Sequence, residues 1–231
     1  MKVGIMQPYF MPYIGYFQLM KAVDKYVIYN DVNYIKGGWV ARNNILMGGQ
    51  KHLIGINLQG ASPNKLFTEI QIKDDFKKFV KTLKYNYSKA PFFNSVMELM
   101  DTILSFPNKQ IDLFLTNSFR LILSYLDIQT ELLLSSDIEK DNSLKGMNKV
   151  LEICKKLGAD AYYNAIGGQE LYDKETFKNH HIALSFVQTD GKLSYRQFDN
   201  MPFVPNLSII DVLMFNSPDE TNRLLDQYKL L

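Results

Sequence analysis

The residues best equipped for chemistry fall in three short stretches. The first is Gln7-Pro8-Tyr9-Phe10-Met11-Pro12-Tyr13-Ile14-Gly15-Tyr16-Phe17. Tyr9, Tyr13 and Tyr16 offer flat faces and hydroxyl groups suited to stacking on a sugar or base and hydrogen-bonding its edge. Gln7 adds an amide, and Gly15 a backbone that a sheet or ligand can approach closely. The second stretch is Asp31, then Asn33-Tyr34-Ile35-Lys36-Gly37-Gly38-Trp39-Val40-Ala41-Arg42-Asn43. Here Lys36 is a mobile cation, Arg42 a forked donor, Asp31 a carboxylate and Gly37-Gly38 a bare backbone, the parts needed to hold an anionic group beside an acid or base. Trp39 and Asn43 are grouped with Gly37 and Gly38 as substrate-binding residues. The third is Asn164-Ala165-Ile166-Gly167-Gly168-Gln169-Glu170-Leu171-Tyr172-Asp173. Gly167-Gly168 leaves amides open to an oxyanion or phosphate, with Asn164, Gln169 and Tyr172 to orient the substrate.

Each stretch has a plainer structural reading. Phe10 and Phe17 read as core aromatics, and Lys36 and Arg42 also fit a solvated approach to a hairpin; at a fourth place, Asp190, Tyr195 and Arg196 after the last strand, a polar turn explains the residues as well as a site does.

The elements around these stretches alternate between strand and helix. A buried strand ends at Pro8. Pro8 and Pro12 fix their own φ and push Gln7 and Met11 away from helical conformations, so the chain stays extended until Tyr13 and then forms a helix ending near Val23. The β-branched and aromatic run 25–32 predicts a second parallel strand. Residues 39–47, the Gly48-Gly49 turn and residues 52–58 read as a hairpin that adds strands beside the parallel set. Helices are expected over 74–87, 92–105 and 110–126, a helical insertion around 74–126. A strand over 130–134, a helix over 144–157 stopped by Gly158, a strand over 161–164, a short helix over 174–179, a last apolar strand over 182–187 and a helical tail from Ile209 follow. This succession predicts one α/β domain over residues 1–231, with a Rossmann-like, mostly parallel sheet and helices on both faces. In such a sheet ligands bind at the carboxyl ends of the strands, where all three polar stretches would converge on one pocket.

Composition narrows the function. The 231 residues are 46% hydrophobic with a net charge of +2, so no basic stripe calls for nucleic acid. No apolar stretch is long enough to span a bilayer, and no charged start precedes one, so a cytoplasmic protein without membrane insertion is expected. Cys154 is the only cysteine and reads as a small buried hydrophobe. His180 and His181 are adjacent and His52 stands alone, without the spacing of a helical zinc pair, so no intrinsic metal is expected. A G-x-S-x-G elbow, a Walker loop and a G-x-G-x-x-G fingerprint are all missing, which leaves the cofactor unknown. The partner expected is a small-molecule substrate.

The chain resembles the WbqC-like family of bacteria. The resemblance is carried by residues 5–17, by Asp31-Val32-Asn33-Tyr34-Ile35-Lys36-Gly37-Gly38-Trp39, by residues 163–172 and by Phe203-Val204-Pro205-Asn206-Leu207-Ser208-Ile209-Ile210-Asp211. Members of that family are associated with gene clusters for O-antigen and other surface polysaccharides, and a glycine transferase role is suggested for some. The resemblance thus implies a transferase acting on an amino sugar or sugar nucleotide, adding an aminoacyl or acyl group. In that reading aromatics hold the sugar, Lys36 or Arg42 neutralises phosphate, and Asp31 takes a proton from the attacking amine or hydroxyl. A looser similarity is to HIGH-motif nucleotidylyltransferases, with Tyr13-Ile14-Gly15-Tyr16 in place of His-x-Gly-His; neutral tyrosines cannot supply imidazolium charge to a developing pyrophosphate. A non-catalytic sugar-nucleotide binding module is the third reading.

Overall fold

A computed structural model describes residues 1–198 and 202–231. Strand β1 (Lys2–Met6) stops just before Pro8, and helix α1 (Ile14–Lys21) starts only after Pro12. Strand β2 (Lys25–Ile28) follows, then the hairpin β3 (Arg42–Met47) and β4 (Gln50–Gly55), whose turn places Gly48 and Gly49 at φ 58° and 74°. The strands β5 (Leu58–Gln59) and β6 (Gln71–Ile72) precede three helices, α2 (Lys77–Tyr87), α3 (Phe93–Leu104) and α4 (Ile111–Tyr125). The chain continues through β7 (Glu131–Leu134), α5 (Gly146–Lys156), β8 (Ala161–Ala165), α6 (Lys174–Asn179) and β9 (Ala183–Thr189), and ends with α7 (Ile209–Phe215), α8 (Pro218–Leu225) and β10 (Tyr228–Leu230).

The main sheet has the order β10-β9-β8-β1-β2-β7, parallel except for β10 against β9. Renumbered in chain order, its strands run 6-5-4-1-2-3, the doubly wound arrangement, in which the chain leaves the central pair in opposite directions. That divergence lies between β1 and β8. One face of the sheet packs Tyr26 and Ile28 against Phe17 of α1 and Phe119 of α4. The other packs Val3, Ile5, Val27 and Tyr162 against Val150 and Cys154 of α5 and Phe177 of α6. Burial pushes the Cys154 thiol up to about 12, as befits an inert apolar filler.

Three expectations need correction. The hairpin does not join the main sheet; β3 and β4 form a separate pair, with Ile45, Leu46 and Ile54 buried in the α1-side core. The second strand ends at Ile28 rather than Val32, because its β1 partner ends at Met6 and the ladder has nothing further to pair. The strand at 182–187 is not the last; Tyr228–Leu230 pairs with β9, a segment too short and polar for periodicity to reveal.

The loop between β1 and α1 is held at several points. Met11 adopts φ 44°, a left-handed conformation costing about 1–2 kcal/mol for a side-chain-bearing residue. Its carbonyl accepts from Asn43 Nδ2 at 2.8 Å and from Ser208 Oγ at 2.7 Å. Phe10 N donates to Val40 O, Ile209 N to Pro12 O and Ser208 N to Asn44 O, so hairpin and α7 both grip the loop. Ser208 is also the N-cap of α7. Ser208→Ala is expected to lower stability by about 1–2 kcal/mol in urea unfolding; an unchanged midpoint and slope would show that the clamp contributes nothing.

Candidate functional site

Strand alternation carries the α5-side face of the sheet past its carboxyl edge: Val3 and Ile5 lead to Gln7, Val27 to Tyr29 and Asp31, and Tyr162 to Asn164. At this rim the Asp31 carboxylate lies between two lysines. Lys140 Nζ is 2.7 Å and Lys149 Nζ 2.9 Å from Oδ2, and Ser135 Oγ donates to Oδ1 at 2.6 Å. The two lysine side chains are only 1% and 6% exposed. Lys140 also donates to the carbonyls of Ser135 and Ile138. Lys149, on α5, donates to the Asp31 carbonyl at 2.8 Å and sits 5.5 Å from the centroid of the Tyr29 ring. Burial alone would raise the Asp31 pKa; Lys140, Ser135 and Lys149 outweigh it and hold the carboxyl below its usual range.

Gln7 occupies the centre of the rim. Its carbonyl accepts from Tyr16 Oη at 2.8 Å, while its side-chain Oε1 is buried with no donor. On the β8 side, Asn164 Oδ1 accepts from Ala165 N at 2.7 Å, and a Cβ at Gly168 would stand 2.8 Å from Asn164 Nδ2, so a side chain there would displace the Asn164 amide. Tyr172 packs edge-on to Tyr162 at 5.4 Å. Burial, then the charge of Asp31, then Tyr172 raise the Tyr29 phenol, which keeps it a neutral donor between the two halves of the rim.

A second hollow, of about 310 Å³, is lined by Tyr9, Pro12, Tyr13, Trp39, Asn43, Asn44 and Asn206. Trp39 is half-exposed, with the Arg42 guanidinium 5.8 Å from its ring centroid. The lining is three aromatic rings and three amides, without a charged group, a combination suited to the faces and hydroxyls of a sugar. A wider groove of about 510 Å³ follows the outer edge of β7, lined by Leu132, Leu133 and Leu134, away from the β1–β8 crevice.

The three stretches therefore do not surround a single pocket. Gln7, Asp31, Asn164, Gly168 and Tyr172 belong to the rim, whereas Tyr9, Tyr13, Trp39 and Asn43 line the hollow, and residues 7–9 of the same loop link the two. Tyr16 is a core residue, 1% exposed and packed on Phe17, Tyr26 and Phe119, with its hydroxyl committed to Gln7. Gly15 serves packing: a Cβ there would collide with the Tyr13 ring and stand 2.8 Å from Thr189 Oγ1. Lys36, Gly37, Gly167 and Gln169 are exposed. Arg42 donates to the carbonyls of Gly38, at 3.0 Å, and Gly37, so it braces that turn. Asp31 is an ionised, doubly paired carboxylate and hence a weak proton acceptor; its position makes it a holder of lysines rather than a base.

Lys140, Lys149, Ser135 and Tyr29 were not among the residues that sequence reasoning picks out. One signal was available: Lys149 shares the inward stripe of α5 with Val150, Ile153 and Cys154, where a charge demands a buried partner. Among the described residues, no group of three or more His, Cys, Asp or Glu side chains is placed to hold a metal ion, and no helix is long and apolar enough to cross a membrane.

Strand order and polar rim define a doubly wound α/β protein with its candidate site at the carboxyl edge. Residues 7–223 match the WbqC-like protein family, and the chain belongs to it. It is similar to the uncharacterized protein Rv1507c of Mycobacterium tuberculosis, with 30% identity over 219 residues covering 93% of each chain. No solved structure matches it.

Because folding lowers the Asp31 pKa, its stabilisation is complete above the unfolded carboxyl value, about 3.9, and is lost as pH falls through the folded value. Stability measured from about pH 6 downward should therefore decline more steeply below about pH 4 in the native protein than in Asp31→Asn. Equal acid slopes would contradict the paired carboxylate.

Proposed function

We propose that this protein is a transferase that modifies an amino sugar, carried as a sugar nucleotide, during surface polysaccharide assembly, by adding a glycyl or other acyl group. The observation that carries this reading is the uncharged hollow of Tyr9, Tyr13, Trp39, Asn43, Asn44 and Asn206 beside the carboxyl edge of the sheet. Aromatic faces take the apolar face of a sugar ring, and amides pair its hydroxyls while leaving the amine free. The substrate amine is the nucleophile: it attacks the acyl carbon of an activated donor, an amide forms, the donor's carrier leaves, and the amine proton passes to solvent. The chain's part is to hold both reactants in line. Asn43 supports this from behind, its amide being engaged with Met11 and Asn44.

The nucleotidylyltransferase reading loses ground. It needs two polar side chains facing a triphosphate, and Tyr16 faces the core instead.

The test is incubation with amino-sugar nucleotides and activated glycyl or acetyl donors, followed by mass spectrometry of the sugar. A product heavier by one acyl group is expected, with sugar affinity about tenfold weaker in Trp39→Ala, equivalent to about 1.4 kcal/mol. Retention of the sugar nucleotide without mass transfer would replace the transferase by a binding module. Binding unaffected by Trp39→Ala would remove the hollow from the site.

A further inference from the structure

We propose that the rim between the ends of β8, β1 and β2 binds the phosphate or diphosphate of a phosphorylated sugar. Lys149 contacts the anion and Gln7 Oε1 accepts from a hydroxyl or amine next to it. The phosphorylated-sugar class is shared with the function proposed above, but the site rests on two observations independent of transfer chemistry.

The first is a count of charge. Two ammonium groups, Lys140 and Lys149, share the one carboxylate of Asp31, an excess of one positive charge at a site where all three side chains are 13% exposed or less. The next carboxylates along the hydrogen-bond chain are not in contact with either lysine: Asp112, on α4 at the opposite layer, accepts from Asn30 and Asp137 accepts from Ser136, and among the described residues neither forms an ion pair with Lys140 or Lys149. Among the described residues, Lys140 meets three acceptors, the Asp31 carboxylate at ion-pair distance and the carbonyls of Ser135 and Ile138. Lys149 meets two, the carboxylate at ion-pair distance and the carbonyl of Asp31, with the face of the Tyr29 ring 5.5 Å away as its remaining neighbour, so one N–H of Lys149 faces no polar acceptor. A buried charge without a counter-ion is costly, and an anion at that N–H removes the cost.

The second observation is Gln7. Its Oε1 is buried without a donor, which native structures seldom tolerate unless something else supplies one. It lies on the same face of the sheet as Asp31 and Asn164, at the end of the strand between theirs. A fully ionised phosphate has only acceptor oxygens to offer an amide oxygen. A ligand that satisfies both groups therefore carries a donor close to its negative charge, as the hydroxyls or amine of a sugar lie beside its phosphate.

Calorimetric titration at matched ionic strength, with pyrophosphate, glucose 1-phosphate and glucose as probes, separates the contributions. Pyrophosphate and glucose 1-phosphate are expected to saturate, and glucose to show no binding at the same concentrations. Lys149→Met, which leaves a neutral Lys140–Asp31 pair, should weaken both anions at least about tenfold. Gln7→Leu should weaken glucose 1-phosphate selectively. Asp31→Asn removes the group that positions both lysines and should weaken pyrophosphate as well, with a smaller rise in Tm on its addition. If Lys149→Met does not fold, Gln7→Leu decides the matter: glucose 1-phosphate weakened with pyrophosphate unchanged supports the site, and unchanged affinity for both overturns it. Failure of the native protein to saturate with either anion, or unchanged affinity in folded Lys149→Met, would overturn the proposal. Anion binding without acyl transfer would leave this site standing and remove the transferase reading; transfer without anion binding would do the reverse.

Discussion

The Asp31 carboxylate, gripped by two lysines, is the contact on which the carboxyl rim depends. Asp31 follows β2, Ser135 follows β7, Lys149 comes from α5 and Lys140 from the segment between, so one group joins two strands and the helix that covers them. Its neighbour Asn30 points to the opposite layer, donating to Asp112 of α4 at 2.8 Å and to Ser136 at 3.1 Å. Two consecutive residues, alternating across the strand end, thereby fasten both helical layers to the same edge. Replacing such a buried ion cluster by apolar side chains is often neutral or stabilising, whereas removing one member costs about 3–5 kcal/mol. What the cluster supplies is geometry: lysines held in place before any ligand arrives.

The aromatic hollow is built with comparable stiffness. Pro8 and Pro12 limit the loop's freedom, and the Met11 carbonyl is tied to both the hairpin and the start of α7. The opposite wall is fixed through Asp211, a fully buried carboxylate accepting from Tyr195 at 2.6 Å, Tyr87 at 2.8 Å and Gln197 at 2.8 Å. Burial raises its pKa, and the three donors recover only part of that penalty. The network reaches β3, since Tyr87 Oη accepts from Leu46 N, and Gln197 exchanges hydrogen bonds with Val204 two residues before Asn206. A wall ordered in advance loses little entropy when a ligand binds.

Local rules reached much of this from residue order alone. Prolines and glycines marked the ends of β1, α5 and the hairpin turn, and amphipathic spacing located α2, α3 and α4. The three polar stretches were also correctly placed at the ends of β1, β2 and β8, because a parallel α/β sheet sends every strand-to-helix loop to one edge. What escaped depends on distance along the chain. Lys149 is 118 residues from Asp31, and no local pattern announces which carboxylate a buried lysine will meet. The opposite error arose at Arg42 and Tyr16, whose chemistry looked available in one dimension and is used up by Gly37, Gly38 and the Gln7 carbonyl in three. The chain leaves the strand after Met6 and turns at Pro8, which parts Gln7 at the rim from Tyr9 and Tyr13 in the hollow and divides one expected pocket into two.

The central claim is that Lys149 presents unneutralised charge to a ligand at this edge. A crystal structure of the protein grown with pyrophosphate addresses it most directly. The expected result is a phosphate oxygen about 2.8 Å from Lys149 Nζ, with the Lys140–Asp31 pair intact. Pyrophosphate bound only at exposed lysines such as Lys36, with the Lys149 position unoccupied, would contradict it.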